Sequence, residues 1–158
     1  MDVTDPEFAT ILRARKPGER LMGLDLGTKT IGIAFSDTRL QIATARETLP
    51  RTKFTNDARY LIDLAEREMV CAIVIGLPLN MDGSQGPRAQ STRAFVSNFA
   101  KHSPLAMAFQ DERLSTHEAE QAMLEADVSR KKRKEKIDAV AAAVILQAAL
   151  NRLQEADL

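Results

Sequence analysis

The chain lacks several features that mark common classes of protein. It has one cysteine, Cys71, among 158 residues, which excludes an internal disulfide, and its two histidines lack the paired spacing of zinc ligands. Its formal net charge is +0 and 4% of its residues are aromatic, so neither the total charge nor a stacking platform indicates a nucleic-acid partner. Residues 1–20 lack the apolar segment of a secretory signal, and no apolar stretch is long enough to cross a membrane. We therefore expect a cytoplasmic protein with no membrane partner.

The apolar content that is present suffices for one core. With 44% hydrophobic residues in a chain of 158, the protein has the size and composition of a single domain. Residues 1–20 are polar and of mixed charge, and we interpret them as a flexible, solvated arm. The composition changes at residue 21, so we place one domain at residues 21–155.

Hydrophobic periodicity predicts the order of strands and helices in that domain. Short alternating segments separated by turns open it, which indicates an antiparallel meander of three strands. Helical spacing then alternates with two short apolar runs that are typical of buried parallel strands. The predicted strands cover residues 21–26, 31–36, 41–49, 70–75 and 105–109, and the predicted helices cover about 57–68 and 135–153 and begin near 87 and 115. The order βββ-α-β-α-β-α-α predicts an α/β fold, a mixed five-stranded sheet flanked by helices.

One acidic residue interrupts the first predicted strand. Asp25 lies in an apolar segment, where a carboxylate is costly unless it meets a cation. That cation is either a metal ion or a buried basic side chain, and Gly23 and Gly27 leave room for a ligand. The segment from Gly23 to Thr30 fails the spacing of a phosphate-binding P-loop, because it is one residue short and a strand follows it. It is similar to the first phosphate loop of sugar kinases and actin-like ATPases, which stays an alternative.

Two further acids occupy comparable positions. Glu112 follows the last predicted strand, and Asp138 lies near the start of the last predicted helix. Each has an ordinary explanation by itself, since Glu112 suits a solvated loop and Asp138 suits the positive end of a helix. Together with Asp25 they are three carboxylates from three elements, a donor set that suits Mg²⁺ or Mn²⁺. Two such ions about 4 Å apart are able to stabilise both the attacking and the leaving oxygen in phosphodiester hydrolysis.

Basic residues lie close to the predicted acids. A basic run just before Asp138 would draw phosphates towards the acids, and Arg88 at a predicted helix start is placed to bind phosphate. A solvated loop is the competing interpretation of such a run. The predicted nucleic-acid contacts are Lys29, Arg88, Arg113, Arg130, Lys131, Lys132, Arg133 and Lys134.

Five segments, in order along the chain, match one family. They are GLDLGTKTIGIA at 23–34, GLPLNMDGS at 76–84, DERLST at 111–116, SRKKRK at 129–134 and D-x-x-A-A-x-x-I-L-Q at 138–147. With these motifs the chain, from about Leu21 to Leu153, resembles the bacterial YqgF family, whose members are described as Holliday junction resolvases or as pre-16S rRNA nucleases. The resemblance implies a ribonuclease-H-like fold and an acidic triad of Asp25, Glu112 and Asp138. It also implies a role in maturing the 5′ end of 16S rRNA in the bacterial cytoplasm.

Three classes of function follow from these observations. The first is a Mg²⁺- or Mn²⁺-dependent nuclease that acts on precursor rRNA, with the ribosome as a further partner, or on four-way DNA as a Holliday junction resolvase. The second is one half of an actin-like ATPase or kinase, although 158 residues supply one of the two domains that such proteins need. The third is a non-catalytic RNA- or ribosome-binding module, in which the basic run matters and the acids do not. A resolvase would be expected to dimerise, but the sequence defines no dimer surface and leaves the oligomeric state open.

Overall fold

The computed structural model describes residues 1–114 and 130–156, with the backbone alone described at residues 114 and 130–138. Over these residues the helices are α1 (Pro6–Arg13), α2 (Phe54–Arg67), α3 (Pro87–Ala100) and α4 (Arg130–Glu155). The strands are β1 (Arg20–Leu26), β2 (Thr30–Ser36), β3 (Ala43–Pro50), β4 (Val70–Leu77) and β5 (Ala106–Asp111). A short 3₁₀ helix, Glu112–Leu114, follows β5 directly. Among the described residues, none of the helices is both long enough and apolar enough to cross a membrane.

The five strands form one mixed sheet in the order β3-β2-β1-β4-β5. The first three strands pair antiparallel, because the turn after β1 is too short to allow any other arrangement. The pairs β1–β4 and β4–β5 are parallel, and helical segments connect them. The predicted meander followed by two parallel strands is therefore confirmed, and β1 lies at the centre of the sheet.

The two faces of β1 contact different helices. Leu24 belongs to an apolar cluster with residues of α2 and α3, whereas Leu21 belongs to a cluster with residues of α4. Gly23 lies on the α4 face, where a Cβ atom would stand 2.8 Å from Cβ of Leu146, so the missing side chain lets α4 pack closely. Because side chains alternate along a strand, Asp25 lies on this same face.

The N-terminal segment differs from the predicted solvated arm. The side chains of Phe8 and Leu12 on α1 are 0% exposed and belong to the core cluster under α4. Residues 1–3 run beside the outer edge of β5, where the Val3 N–H donates to the Phe109 carbonyl at 3.0 Å and the Phe109 N–H donates to the Met1 carbonyl at 2.8 Å. The segment therefore covers a strand edge that would otherwise present unpaired backbone groups.

The expectation of a solvated arm was wrong because its apolar signal is short. Pro6 occupies the first turn of α1, a favourable position for proline, and Phe8 and Leu12 are four residues apart on one helix face. Charged residues on either side obscure this pattern in the sequence. Two apolar anchors on a helix of 8 residues suffice once the core of the domain receives them.

Two helix starts also differ from the sequence-based expectation. Helix α2 begins at Phe54, three residues before the predicted start near residue 57, and the carboxylate of Asp57 accepts hydrogen bonds from the backbone N–H and the hydroxyl of Thr52. Helix α4 begins at Arg130, about five residues before the predicted start near 135, so the basic run is helical in its backbone. Lysine and arginine favour helix, and neither glycine nor proline occurs in α4. The helix predicted near 115 lies outside the described residues.

The packing of α1 predicts a measurable contribution to stability. We expect Phe8→Ala to lower the free energy of unfolding by about 3 kcal/mol, because it removes a wholly buried ring. Chemical denaturation followed by circular dichroism would measure the loss. Arg13→Ala, an exposed change on the same helix, is the control and should alter stability by less than about 0.5 kcal/mol. Equal stability of Phe8→Ala and wild type would contradict the packed arrangement of α1.

Candidate active site

Two carboxylates meet at one edge of the sheet. Strands β1, β4 and β5 run parallel, so their carboxyl ends lie at the same edge, the usual location of sites in α/β proteins. Asp25 is the penultimate residue of β1, and Glu112 follows the last residue of β5. Strand β4 lies between them, so their backbones are two strand spacings, about 10 Å, apart. The side chains therefore have to reach over β4 to share one space.

Gly76 on β4 provides the room for this approach. A Cβ atom at Gly76 would stand 2.5 Å from Oε1 of Glu112 and 2.6 Å from Cδ1 of Ile145 on α4. The carboxylate of Glu112 thus occupies the space that any other side chain at position 76 would take. It lies under α4, on the sheet face that also carries Asp25.

The environment of Glu112 favours its protonated form. Burial is the largest cause and the negative charge of Asp25 the second, and together they raise the pKa of the Glu112 carboxyl from an ordinary 4.5 to about 7. The positive charge of Arg88 lowers this pKa and the charge of Asp111 raises it, both to a smaller extent. Two carboxylates held together at this cost form a site that a cation would stabilise.

The neighbouring acid Asp111 has a different environment. Its carboxylate pairs with the guanidinium of Arg113, with Nη2 donating to Oδ2 at 2.7 Å, and this hydrogen bond lowers the pKa of Asp111. Arg113 also donates from Nη1 to the carbonyl of Met81 at 3.2 Å, which ties the loop after β4 to the end of β5. Arg113, a predicted nucleic-acid contact, thus makes hydrogen bonds within the protein that connect this loop to the end of β5. Met81, at 89% exposure, projects from that loop into solvent.

The other predicted site residues are described to different extents. Asp138 belongs to α4, one turn before Ala142, whose carbonyl oxygen lies 3.2 Å from the Cβ position of Gly23. The side chain of Asp138 lies outside the described residues, as do those of Arg130, Lys131, Lys132, Arg133 and Lys134. Lys29 is exposed in the β1–β2 turn, and Arg88 is exposed in the first turn of α3.

The donor set fits a hard divalent cation. Within the described part of the chain, no cluster of three or more His, Cys, Asp or Glu side chains is close enough to hold a metal ion. Asp25 and Glu112 are carboxylates that offer only oxygen donors, and the absent side chain of Gly76 gives the Glu112 carboxylate its place on this face of the sheet. Oxygen donors of this kind suit Mg²⁺ or Mn²⁺ better than zinc.

Sequence reasoning missed two residues that shape this site. Gly76 was interpreted only as the start of a loop, since its role depends on the strands that flank β4. Gln110 is 0% exposed, and its Oε1 accepts a hydrogen bond from Nη1 of Arg152 at 3.1 Å, which joins β5 to α4. The only local signal was a polar residue at the end of an apolar strand.

Solved structures with a similar fold define the class of protein. The chain aligns with RuvC of Thermus thermophilus, solved in complex with a Holliday junction substrate, at a TM-score of 0.56 and 12% identity, covering 86% of this chain and 96% of that one. It aligns with the fowlpox virus resolvase, solved with Holliday junction DNA, at a TM-score of 0.52 and 12% identity, covering 87% and 98% of the two chains. The fold is therefore ribonuclease-H-like, as the family resemblance implied.

Sequence relatives define the family within that class. The sequence profile of the RuvX family, described as Holliday junction resolvase, matches residues 19–152, and the chain belongs to this family, which the motifs indicated under the name YqgF. A relative from Chelativorans sp. strain BNC1 is 59% identical over 142 residues, 90% of this chain and 89% of that protein. A relative from Agrobacterium fabrum strain C58 is 57% identical over 151 residues, 96% of this chain and 93% of that protein. Both carry the name "Putative pre-16S rRNA nuclease".

The raised pKa of Glu112 predicts how the metal-free protein responds to pH. Because the folded state binds this proton more tightly than the unfolded state, stability falls as pH rises above about 4.5, and the loss is complete above about 7. The upper bound of the effect is roughly 3 kcal/mol. We expect Glu112→Gln to remove most of this dependence, so that the variant is the more stable protein at pH 8 and similar to wild type at pH 5.

Denaturant unfolding in EDTA at pH 5, 6, 7 and 8 would measure the effect. The control is Glu66→Gln, which neutralises an exposed acid on α2 and should leave the pH profile of wild type unchanged. Parallel profiles of wild type and Glu112→Gln would show that Glu112 titrates at its ordinary value.

Proposed function

We propose that this protein is a divalent-metal-dependent nuclease that hydrolyses phosphodiester bonds and acts in 5′-end maturation of the 16S rRNA precursor. The observation that carries the proposal is the position of Glu112 above Gly76, on the face and edge of the sheet that carry Asp25, where the charge of Asp25 helps to raise the pKa of Glu112. The names of the relatives from Chelativorans and Agrobacterium support the choice of substrate. The proposed setting is the bacterial cytoplasm, with ribosomal precursor particles as the partner.

In this proposal the acids bind the metal. Asp25, Glu112 and Asp138 would hold Mg²⁺ or Mn²⁺, with Asp138 contributed by α4. A bound divalent ion supplies positive charge that stabilises the negative charge developing on the phosphate during hydrolysis. In the reaction, water adds to phosphorus and one P–O ester bond breaks, which leaves one end with a phosphomonoester and the other with a hydroxyl.

The remaining residues prepare the site for a phosphate. Arg88 places a positive charge near Glu112 and would draw the substrate strand towards the acids. Arg113 pairs with Asp111, the acid next to Glu112 in the sequence, and so weakens the repulsion between this carboxylate and a substrate phosphate. Ile145 of α4 closes one side of the space around Glu112 with apolar surface, which limits access of bulk water. Lys29 and the basic start of α4 would extend the positive surface along the strand.

A second candidate substrate is the four-way DNA junction. The description of the RuvX family as Holliday junction resolvase favours it. A phosphodiester of either nucleic acid presents the same charged group to the carboxylates, so the acids alone do not select between them. Parallel assays on both substrates separate the two candidates.

Cleavage assays with Asp25→Asn test the proposal. We expect purified protein with Mg²⁺ or Mn²⁺ to cleave a precursor 16S RNA fragment, and Asp25→Asn to reduce the rate by roughly two orders of magnitude or more. Asp63→Asn, which changes an exposed acid on α2, is the matched control and should retain full activity. A four-way DNA junction is assayed under the same conditions.

Two outcomes would count against the nuclease. Full cleavage by Asp25→Asn, or cleavage in excess chelator, would refute the metal mechanism. Binding of precursor RNA without any cleavage by wild type, unaffected by Asp25→Asn, would favour a non-catalytic RNA-binding module instead.

The glycine at position 76 allows a separate prediction. In Gly76→Ala the new Cβ displaces the ends of two flexible side chains, Glu112 and Ile145, so we expect the variant to fold and to lose at least about tenfold in cleavage rate. Gly23→Ala is the comparison on the same sheet face. Its Cβ meets Cβ of Leu146 at 2.8 Å, near the backbone of α4, so its main effect should be a loss of about 2 kcal/mol in stability. Thermal unfolding and cleavage rates of both variants check the contrast, which would fail if Gly76→Ala kept full activity.

A further inference from the structure

A groove opens beside the candidate active site, between the β1–β2 turn and the start of α3. It has a volume of about 230 Å³, and its lining includes Gly27, Thr28, Arg51, Arg88, Thr92 and Phe95. The described residues that line it include two arginines and no acid. Its walls come from three separate parts of the chain, so the fold itself assembles the groove.

Arg51 is held in a defined position in this groove. Its Nη1 donates to the carbonyl oxygen of Gly27 at 2.6 Å, and its guanidinium carbon lies 5.6 Å from the centroid of the Phe95 ring. None of the ion pairs formed among the described residues includes Arg51. Most of the N–H donors of this guanidinium therefore stay available to an anion.

The start of α3 supplies further donors without a partner. Thr92 is 3% exposed and lines the groove, and its hydroxyl makes no hydrogen bond with any residue that the structure describes. This hydroxyl stays open to the groove, so a ligand there can reach it. The helix begins after Gly86 with no side-chain cap hydrogen bond and no acid in its first turn, so the positive charge of its N-terminal end is not neutralised there.

Arg88 connects this groove with the acids. It lines the groove, and its charge reaches Glu112 strongly enough to lower the pKa of that carboxyl. The groove and the carboxylate pair thus lie within reach of one nucleic-acid strand. A donor set of two guanidiniums, a hydroxyl and helix N–H groups matches a phosphate.

We propose that this groove binds a backbone phosphate of the RNA strand, next to the phosphate that is cleaved. The inference rests on the nuclease function proposed above and assigns Arg51 and Thr92 as substrate-positioning residues. Their contribution is to affinity and register, because they lie apart from the carboxylates that carry the chemistry.

Binding measurements with matched variants test this assignment. We expect Arg51→Gln to weaken binding of a fluorescent single-stranded RNA from the 16S precursor about tenfold in EDTA, where the metal is absent. The slope of log affinity against log salt should decrease in magnitude by about 0.7, the value for one phosphate contact on a single strand. Thr92→Val, which keeps the shape of the side chain and removes the hydroxyl, should weaken binding about fivefold with the slope unchanged. In cleavage assays both variants should raise KM and leave kcat within about twofold.

Arg59→Gln is the control for charge. It removes an exposed arginine on α2 outside this groove and should leave affinity and salt slope close to those of wild type. Thermal unfolding of each variant checks the fold. Should Arg51→Gln fail to fold, Thr92→Val and the exposed change Arg88→Gln carry the same test.

The outcomes separate this inference from the nuclease proposal. If wild type cleaves RNA but Arg51→Gln and Thr92→Val behave as Arg59→Gln, the groove assignment fails and the nuclease stands. If wild type binds RNA through the groove but cleaves nothing, the nuclease proposal fails and the groove remains a site for an RNA phosphate.

Calorimetric titration with inorganic phosphate tests whether the groove binds free phosphate instead of RNA. If Arg51→Gln loses phosphate binding but keeps the RNA affinity of wild type, the groove is a site for free phosphate and the inference is overturned. The inference is also overturned if wild type does not bind RNA.

Discussion

The site depends on a missing side chain. Strand β4 separates β1 from β5, and the carboxylate of Glu112 fits over β4, on the sheet face that carries Asp25, only because Gly76 has no side chain there. The same sheet face carries Gly23, where the absent Cβ lets α4 approach β1. Gly23 therefore sets how closely α4 packs on the sheet, and Gly76 on the neighbouring strand sets the room for Glu112 below α4. Their effect comes from volume, and it needs no special backbone conformation.

This arrangement gives two adjacent acids opposite electrostatic environments. Asp111 pairs with Arg113, which lowers its pKa, whereas Glu112 is turned under α4 beside Asp25, which raises its pKa. The alternation of side chains along β5 makes the difference, since it places Ala108, Gln110 and Glu112 on the α4 face and Asp111 on the other face. The repulsion between Asp25 and Glu112 lowers the stability of the folded protein. Proteins retain destabilising interactions of this kind where a functional site needs them.

The sequence predicted those features of the fold and of the candidate site that depend on local patterns. Alternating and continuous apolar runs predicted the meander and the parallel strands, and the interruption of one such run singled out Asp25. The meeting of Asp25 with Glu112 over Gly76 needed the strand order, because it joins residues from three strands that are far apart in the chain. Helix α1 was missed for a different reason, since Phe8 and Leu12 are too few to stand out before the core that buries them is known. Arg51 follows a strand end without any motif, and only its contact with the Phe95 ring places it in a groove.

The carboxylates and the groove have different capacities to recognise a substrate. In the proposed mechanism Asp25 and Glu112 would hold a metal that acts on phosphate groups, which RNA and DNA share, so the acids would have no means to distinguish ribose from deoxyribose. That distinction requires hydrogen bonds to the 2′-hydroxyl, which is both a donor and an acceptor. Thr28 and Thr92 line the groove with hydroxyls of the same dual character, beside two arginines that would hold a phosphate. If both proposals hold, a preference for RNA would arise in the groove at the start of α3 and not at the carboxylates.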